Sequence, residues 1–217
     1  MEHITQNNHA QIVGEITKPP VLSHRHFDED FYLFSVQVPR LSGVYDLINV
    51  MISEKLLCGL ELAEGMLVEI VGQYRSYNNY SGTGSKLVLS LFARDIRLGD
   101  EIEHIDNPNV ITLTGYICKP PVYRTTPFSR EIADILLAVN RSYGKSDYIP
   151  CIVWGRNAKF ASSLEVGAHI QLSGRIQSRE YQKKYEDGSS ETKTAFEVSV
   201  SKLDVLEEKE TTPSLDT

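Results

Sequence analysis

The sequence has few cysteines, no long apolar run and no apparent leader segment. Its three cysteines are too few and too scattered for a disulfide framework or a zinc site. Two of them, Cys118 and Cys151, lie in apolar strand-like runs, where a thiol usually packs as a small buried hydrophobe. No apolar run approaches the about 20 residues that cross a bilayer, and MEHITQNNHA lacks the basic and apolar parts of a secretory signal. These absences predict a cytoplasmic protein without a membrane partner.

The usual signatures of catalysis are also missing. The sequence contains no Walker loop, no GxSxG elbow and no HExxH pair. His24 and His26 flank Arg25 in a highly charged segment, but their spacing matches no zinc or calcium ligand pattern. We therefore expect no enzymatic activity, no catalytic residue, no metal and no cofactor.

Basic residues are concentrated in the second half of an otherwise acidic chain. The net charge is −7, but residues 1–105 hold 8 basic and 14 acidic side chains, whereas residues 106–206 hold 13 basic and 11 acidic. Residues 207–217 are polar, acidic and without periodicity, which predicts a short disordered tail. Because a binding groove depends on local charge, the overall acidity does not exclude a nucleic-acid partner for the second half.

The chain contains two copies of one unit. VGEITKPPV at 13–21 matches TGYICKPPV at 114–122 with an offset of 101, and LAEGMLVEIVGQYRS at 62–76 matches LEVGAHIQLSGRIQS at 164–178 with an offset of 102. Two copies are too few for a solenoid and indicate two similar domains. We predict an N-terminal domain at 1–105 and a C-terminal domain at 106–206, joined by the turn-rich linker Asp106-Asn107-Pro108-Asn109.

Hydrophobic residues alternate with a period of two, which predicts strands with one face on a core. The Pro-Pro after each first strand marks its end, since proline donates no ladder hydrogen bond. Short helical segments are expected only at 53–62 and 156–164, each followed by a glycine, Gly65 or Gly167, that suits a sharp re-entry into the next strand. Further strands are predicted near 31–38, 45–52, 65–76, 86–97, 132–140, 147–154, 167–181 and 193–204. This order predicts an all-β protein of two tandem five-stranded OB-fold barrels, each with one short helix between strands 3 and 4.

The segment DYIPCIVWG at 147–155 predicts an aromatic outer surface on the second barrel. Ile149, Cys151 and Val153 would point into the barrel, so the other row would face outward. That outward row is Tyr148, Pro150, Ile152 and Trp154.

More aromatic and basic side chains surround this strand in the sequence. Tyr143 precedes it, and Tyr181 and Tyr185 bracket the tip of a predicted hairpin. The interleaved basic residues are Arg141, Lys145, Arg156, Arg175, Arg179, Lys183 and Lys184. Aromatic platforms with cations between them are typical of sequence-tolerant single-strand binding, and no basic helix suits the major groove of a duplex. Alternatively, Trp154 is a core or interface residue, the hairpin lysines only solubilise a loop, and Tyr143 caps the barrel.

Residues 133–206, from ADILLAVNRSYGKSDYIPCIVWG through GRIQSREYQKKYEDGSSE to SKLDVL, resemble the bacterial single-stranded DNA-binding protein family. That family carries base-stacking aromatics at four places, filled here by Tyr143, Tyr148, Trp154 and Tyr181. The resemblance implies single-stranded DNA binding in replication, recombination or repair, at the nucleoid, by a homodimer with four barrels. The chain ends in TTPSLDT and not in the family's acidic, Phe-ending tip, so recruitment of replication or recombination proteins through such a tip is not expected, and a role on a mobile element stays open.

The first half lacks the family's aromatics. Carrying the offset of 102 across places Leu41, Asp46, Ile52 and Asn79 at the four positions, with Tyr77 and Tyr80 near the last. Its outward row would be Asp46, Ile48, Val50 and Ile52, which suits protein contact better than phosphate. We therefore expect a degenerate first barrel with a structural or interfacial role. The competing function for the whole chain is an OB-fold protein-interaction module of a primosome or recombination complex, with weak nucleic-acid affinity.

Overall fold

The two halves of the chain fold through the same order of strands. A computed structural model describes residues 7–79, 86–99, 102, 106–185 and 188–206, so the predicted tail at 207–217 lies outside the described residues. The first half contains β1 (Asn8–His26), β2 (Glu29–Pro39), β3 (Tyr45–Ser53), α1 (Glu54–Leu57), β4 (Leu67–Asn79) and β5 (Lys86–Leu98). The second half contains β6 (Asn109–Ile117), β7 (Val122–Thr125), β8 (Glu131–Asn140), β9 (Ser146–Trp154), α2 (Arg156–Ser162), β10 (His169–Lys184) and β11 (Ser190–Val205).

Each half closes into a five-stranded barrel. In barrel 1, β1 pairs with β2 and β4, β2 pairs with β3, and β4 pairs with β5, all antiparallel. The short parallel pairing of β3 with β5 completes the ring. Barrel 2 repeats this with β6, β8, β9, β10 and β11, and β7 extends the edge of β8. The predicted class, two tandem OB-fold barrels with few helices, is confirmed.

The predicted alternation of the first strands is present, and glycine lets these strands cross their neighbours closely. Ile12 and Leu113 are fully buried in the core, one from each barrel. A Cβ on Gly14 would lie 2.2 Å from the carbonyl oxygen of Gln37. A Cβ on Gly115 would lie 2.3 Å from that of Ala138. Only a residue without a side chain allows this approach, so each glycine permits the tight curvature of its barrel.

Two local predictions differ from the structure in the first copy. The Pro-Pro ends β6 in the second copy, but β1 runs through Pro19 and Pro20 to His26. The ladder with β2 shifts register between Lys18 and Val21, so neither proline has to donate to it. The helix predicted at 53–62 is reduced to Glu54–Leu57. Cys118 follows β6 and is only half-buried, whereas Cys151 is buried as predicted.

The barrels are joined by a shared sheet. β1 pairs antiparallel with β6 over residues 8–12 and 109–113, so one sheet runs through both barrels. The predicted linker is part of this junction: Pro108 accepts a hydrogen bond from the Val13 N–H at 2.8 Å, and Asn109 is a buried residue of β6. The Asn109 amide pairs with the backbone of Ile176 at 2.7 and 2.9 Å, which anchors it inside barrel 2.

Two buried carboxylates reinforce the junction in a pseudo-twofold arrangement. Asp147 of barrel 2 binds the Arg141 guanidinium and accepts from the Ser76 N–H of barrel 1 at 2.5 Å. Arg141 also donates to the Ser76 carbonyl at 2.8 Å. Asp46 of barrel 1 repeats this with Arg40 and the backbone N–H of Ser178 in barrel 2, at 2.8 Å. Both carboxylates are 1% exposed, so the relative position of the barrels is set by buried, charge-assisted hydrogen bonds.

Candidate nucleic-acid interface

The outer row of β9 is aromatic, but it is narrower than predicted. Ile149, Cys151 and Val153 are buried in the core, and Tyr148 is 45% exposed on the opposite face. The prediction for Ile152 was wrong, because this side chain is only 3% exposed although it alternates with the core row. Tyr148 and Trp154 are therefore separated on the outer face by a buried position.

Trp154 lies on the outer face of the strand and is partly buried. Its indole N–H donates a hydrogen bond to the Ser199 hydroxyl of β11 at 3.1 Å. The neighbouring Val153 lines the core, so the indole does not enter the barrel interior. The hydrogen bond fixes the ring plane and leaves part of the ring open to solvent.

Tyr143 is the most exposed of the predicted aromatics. It lies in the turn Ser142–Gly144 between β8 and β9, with φ of 65° and 99% exposure. The turn is closed by the Arg141 N–H, which donates to the Lys145 carbonyl at 2.7 Å. A tyrosine in the left-handed region is uncommon and has to be held there by its surroundings. The ring does not cap the barrel end.

Aromatic and basic side chains alternate along the hairpin of β10 and β11. Tyr181 is exposed, and the Arg179 guanidinium lies 5.8 Å from its ring centre. Lys183 lies 5.1 Å from the ring centre of Tyr185, whose hydroxyl donates to Glu191 at 2.5 Å. That hydrogen bond is the main reason why the pKa of Glu191 is lowered. The side chain of Lys184 lies outside the described residues. Cation–π contacts thus hold the described rings and cations in alternation.

Six of the predicted cations have described side chains; three of them pair with a carboxylate and three do not. Arg141 and Arg175 are engaged within the protein: Arg175 donates to Asp46 of barrel 1 at 3.1 Å, and Arg141 binds Asp147. Arg179 is exposed and bridges Glu197 at 3.2 Å. The other three, Lys145, Arg156 and Lys183, are exposed and have no carboxylate within 4 Å among the described residues. These three are the predicted cations that are free to meet a phosphate.

The structural equivalence of the barrels corrects the register assumed for barrel 1. The burial patterns of β3 and β9 coincide when Asp46 is aligned with Asp147. The offset between the two copies is therefore 101, and not 102, up to the end of β3. The extra residue of the second copy therefore falls between β3 and β4, where α1 is shorter than α2. The positions equivalent to Tyr143, Tyr148 and Trp154 are Ser42, Leu47 and Ser53.

The predicted outward row of barrel 1 was therefore wrong. Its four members, Asp46, Ile48, Val50 and Ile52, are all buried. The aromatic places remain lost under the corrected register, because Ser42, Leu47 and Ser53 carry no ring. Tyr77 is exposed near the end of β4, whereas Tyr80 and the side chain of Asn79 lie outside the described residues.

A set of aromatic and arginine side chains on barrel 1 was missed by the sequence reasoning. Phe31 and Phe92 lie on the outer face of barrel 1, with their ring centres 5.9 Å apart. The guanidinium carbons of Arg75 and Arg94 lie 5.5 and 5.0 Å from the Phe92 ring centre. The signal was present as the i, i+2 pair Phe92 and Arg94 in a predicted strand, which places both on one face. The acidic total of the first half obscured it.

The described residues contain no group of three or more His, Cys, Asp or Glu side chains that could hold a metal ion. No helix in the described part of the chain is long and apolar enough to cross a membrane.

Comparison with known sequences identifies the second barrel. Residues 108–206 match the profile of the Single-strand binding protein family. The second barrel belongs to this family. Single-stranded DNA-binding protein 1 of Staphylococcus aureus is 37% identical over 81 residues, covering 34% of this chain and 48% of the relative. Single-stranded DNA-binding protein 2 of Listeria monocytogenes is 32% identical over 108 residues, covering 46% of this chain and 65% of the relative. The match thus spans about half to two thirds of the length of these relatives.

A solved structure extends the likeness to both barrels. The single-stranded DNA binding protein from Thermus aquaticus superposes with a TM-score of 0.72, covering 93% of this chain and 94% of that chain. The sequence identity is 18%, so this comparison shows a shared tandem OB fold. Both sequence relatives named above are single-stranded DNA-binding proteins.

Proposed function

We propose that this chain binds single-stranded DNA with little sequence preference, in DNA replication, recombination or repair. The observation that carries the proposal is the exposure of three rings in the barrel that matches the single-strand binding family: Tyr143 in the β8–β9 turn, Tyr148 on β9 and Tyr181 on the β10–β11 hairpin. In OB folds, these strands and loops usually carry the ligand surface.

The proposed chemistry is stacking of unpaired bases on these rings and on the open part of Trp154. Each stacked base contributes roughly 1–3 kcal/mol by alanine substitution. Every base has a π face, so stacking tolerates any sequence. Lys145, Arg156 and Lys183 would neutralise phosphates along the same surface, since none of them is paired with a described carboxylate.

The test is a titration of fluorescently labelled oligo-dT, oligo-U and duplex DNA at two salt concentrations. We expect oligo-dT to bind more tightly than duplex and its affinity to fall as salt rises, because phosphate binding releases counterions. Trp154 fluorescence should be quenched by the oligonucleotide. Tyr148→Ala and Trp154→Ala should each weaken binding by about 5- to 150-fold, the range that corresponds to one lost stacking contact.

A matched control is available in barrel 1. Leu47 occupies the position of Tyr148, is also exposed, and has no ring. Leu47→Ala should leave the dissociation constant for oligo-dT nearly unchanged. An equal loss for Leu47→Ala and Tyr148→Ala, in variants that are both folded, would contradict base stacking at Tyr148.

The second candidate is a protein-interaction module of a primosome or recombination complex. The partly covered Trp154 favours it, because an indole that is fixed by Ser199 also suits a protein interface. This function predicts weak, salt-insensitive binding of oligo-dT and no loss of affinity in Tyr148→Ala.

We further propose that two chains associate into a homodimer with four barrels that acts in the cytoplasm at the nucleoid. The tandem likeness to the Thermus protein supports this assembly only through the shared fold. Light scattering at micromolar concentration should give twice the chain mass, and a monomer mass would contradict the dimer. Replication or recombination proteins are the expected partners, and pull-down on DNA-saturated protein would identify them.

A further inference from the structure

Barrel 1 presents a continuous row of rings contributed by β1, β2 and β5. His24 of β1 stacks on Phe31 of β2 with ring centres 5.1 Å apart and planes 11° from parallel. Phe31 in turn lies 5.9 Å from Phe92 of β5. Phe34 of β2 and Leu91 of β5 are buried in the core, so the alternation of each strand places Phe31 and Phe92 outside.

Two arginines cover the end of this row without an acidic partner. Arg75 and Arg94 both lie over Phe92, and both donate to the side-chain oxygen of Gln73, at 2.5 and 3.4 Å. Among the described residues, no carboxylate oxygen lies within 4 Å of either guanidinium. The pKa of Arg75 is lowered, first by burial and then by the positive charge of Arg141, against the opposing attraction of Asp147. A cation in such surroundings is stabilised by an incoming anion.

Barrel 2 does not repeat these charges. The pairing of Gln73 with Phe92 corresponds to that of Arg175 with Ser199, so Ser199 replaces Phe92 and Gln177 replaces Arg75. Gln177 donates to the buried Glu197 at 2.7 Å, whereas the corresponding residue of barrel 1 is Ser90. The acid that neutralises this part of barrel 2 is therefore absent from barrel 1, and the aromatic and basic groups are a feature of barrel 1 alone.

A cleft connects these groups to the proposed site on barrel 2. Arg75 and Arg94 line an open cleft of about 750 Å³, whose lining also includes Phe27 of barrel 1 and Tyr143 and Lys145 of barrel 2. Phe27 lies at the tip of the β1–β2 hairpin and is almost fully exposed, like Tyr143. The cleft thus combines exposed rings from both barrels with basic side chains.

We propose that Phe31, Phe92, Arg75 and Arg94 form a second single-strand site, the barrel-1 site, and that one strand continues from Tyr143 through the cleft to reach it. The inference rests on the proposed function of barrel 2. Single-stranded nucleic acid is the occupant that combines both features, because bases stack on the rings while phosphates meet the arginines. An acidic peptide would use the arginines but would leave the row of rings without a matching partner.

The test measures the length of strand bound by each chain. OB folds occlude about 4–16 nucleotides each, so binding across both barrels should occlude a correspondingly longer stretch of poly-dT than binding to one. Phe92→Leu, which keeps apolar volume but removes the ring, should shorten the occluded length and weaken binding of a long oligo-dT about 5-fold or more. Arg75→Gln with Arg94→Gln should lower the slope of log affinity against log salt by about 1.4, the value for two phosphates on a single strand.

The control is Arg97→Gln, which removes another exposed arginine of β5. Arg97 pairs with Glu69, which also accepts from Gln11 at 2.6 Å and so keeps a partner in the variant. Arg97→Gln should change neither the occluded length nor the salt slope beyond the experimental scatter. Thermal unfolding checks that each variant is folded. If the double variant does not fold, the single variant Arg94→Gln, at an exposed position, replaces it in the salt titration.

The outcomes separate this inference from the proposed function. If the wild-type protein binds poly-dT but the barrel-1 variants have the same occluded length and salt slope as Arg97→Gln, the barrel-1 site is overturned and barrel 2 remains the DNA site. Wild-type protein that binds no oligo-dT would overturn both. If the double arginine variant loses binding to poly-glutamate but keeps its binding to poly-dT, single-stranded DNA is not the occupant of the barrel-1 site. Photocrosslinking of 5-iodouracil oligonucleotides to peptides containing Phe31 or Phe92 would support the site directly.

Discussion

Truncation of Asp147 should show how strongly the buried carboxylates hold the barrels together. In Asp147→Ala, Arg141 loses its ion pair and the Ser76 N–H loses its acceptor, both at a position that is almost fully buried. Removal of one partner of a buried pair costs about 3–5 kcal/mol. The side chain of Arg141 is 25% exposed and can regain some water, so we expect the lower end of that range, about 3 kcal/mol of unfolding free energy.

The matched control is another aspartate of barrel 2 that binds an arginine with two hydrogen bonds. Asp134 pairs with Arg124 at 2.6 and 3.2 Å, but the two side chains are 39% and 43% exposed. Asp134→Ala should therefore cost only about 0.2–1 kcal/mol. Urea unfolding followed by circular dichroism gives both values from the shift in midpoint. Equal shifts for Asp147→Ala and Asp134→Ala would refute the argument that burial and the contact with Ser76 make this pair different.

Three further expectations concern packing and thiol chemistry. Ile52→Ala should lower the unfolding free energy by about 2–5 kcal/mol in urea titrations, because Ile52 is fully buried in barrel 1. Leu47→Ala, at an exposed position of the same strand, should lower it less, and a smaller loss for Ile52→Ala than for Leu47→Ala would contradict the corrected register. Gly174→Ala places a Cβ 2.1 Å from the Ser199 carbonyl oxygen, so it should destabilise barrel 2 by about 1–3 kcal/mol, and an unchanged melting temperature would argue against this close approach. In native protein Cys58 should react with Ellman's reagent while Cys151 does not, since burial raises the pKa of the Cys151 thiol; rapid modification of Cys151 before unfolding would show that barrel 2 opens readily.

Much of the fold could be predicted because its signals are local. The period of two identified nearly every strand, and the repeat of KPPV with the later glycine-containing strand identified two similar units. Gly65 and Gly167, expected at sharp re-entries, have φ of 83° and 94°. The continuation of β1 through Pro19 and Pro20 was not predictable in this way, because it relies on a register shift in the pairing of β1 with β2, which is a long-range property.

The candidate site was predicted less completely, for a reason visible in Arg141 and Arg175. Both were counted among the cations of the binding surface, and both form ion pairs at the junction of the barrels. A one-residue error in offset also moved the buried row of β3 to the outside, since a shift of one residue reverses the face of every side chain on a strand. The offset changes in the segment between β3 and β4, where the sequence has no periodic signal that would show the position of the extra residue.

The amino-acid sequence alone determined that this chain forms two OB-type barrels and that the second carries the greater number of basic residues together with several tyrosines and the tryptophan, because strand periodicity and residue type are read along the chain. The tertiary structure decided which charges remain available, since Asp46 pairs with Arg175 from the other barrel and Asp147 pairs with Arg141 across the turn between β8 and β9. It also brought Phe31, Phe92, Arg75 and Arg94 together from three strands of an acidic half. Local charge and ring clusters depend on strand pairing, which total composition does not encode.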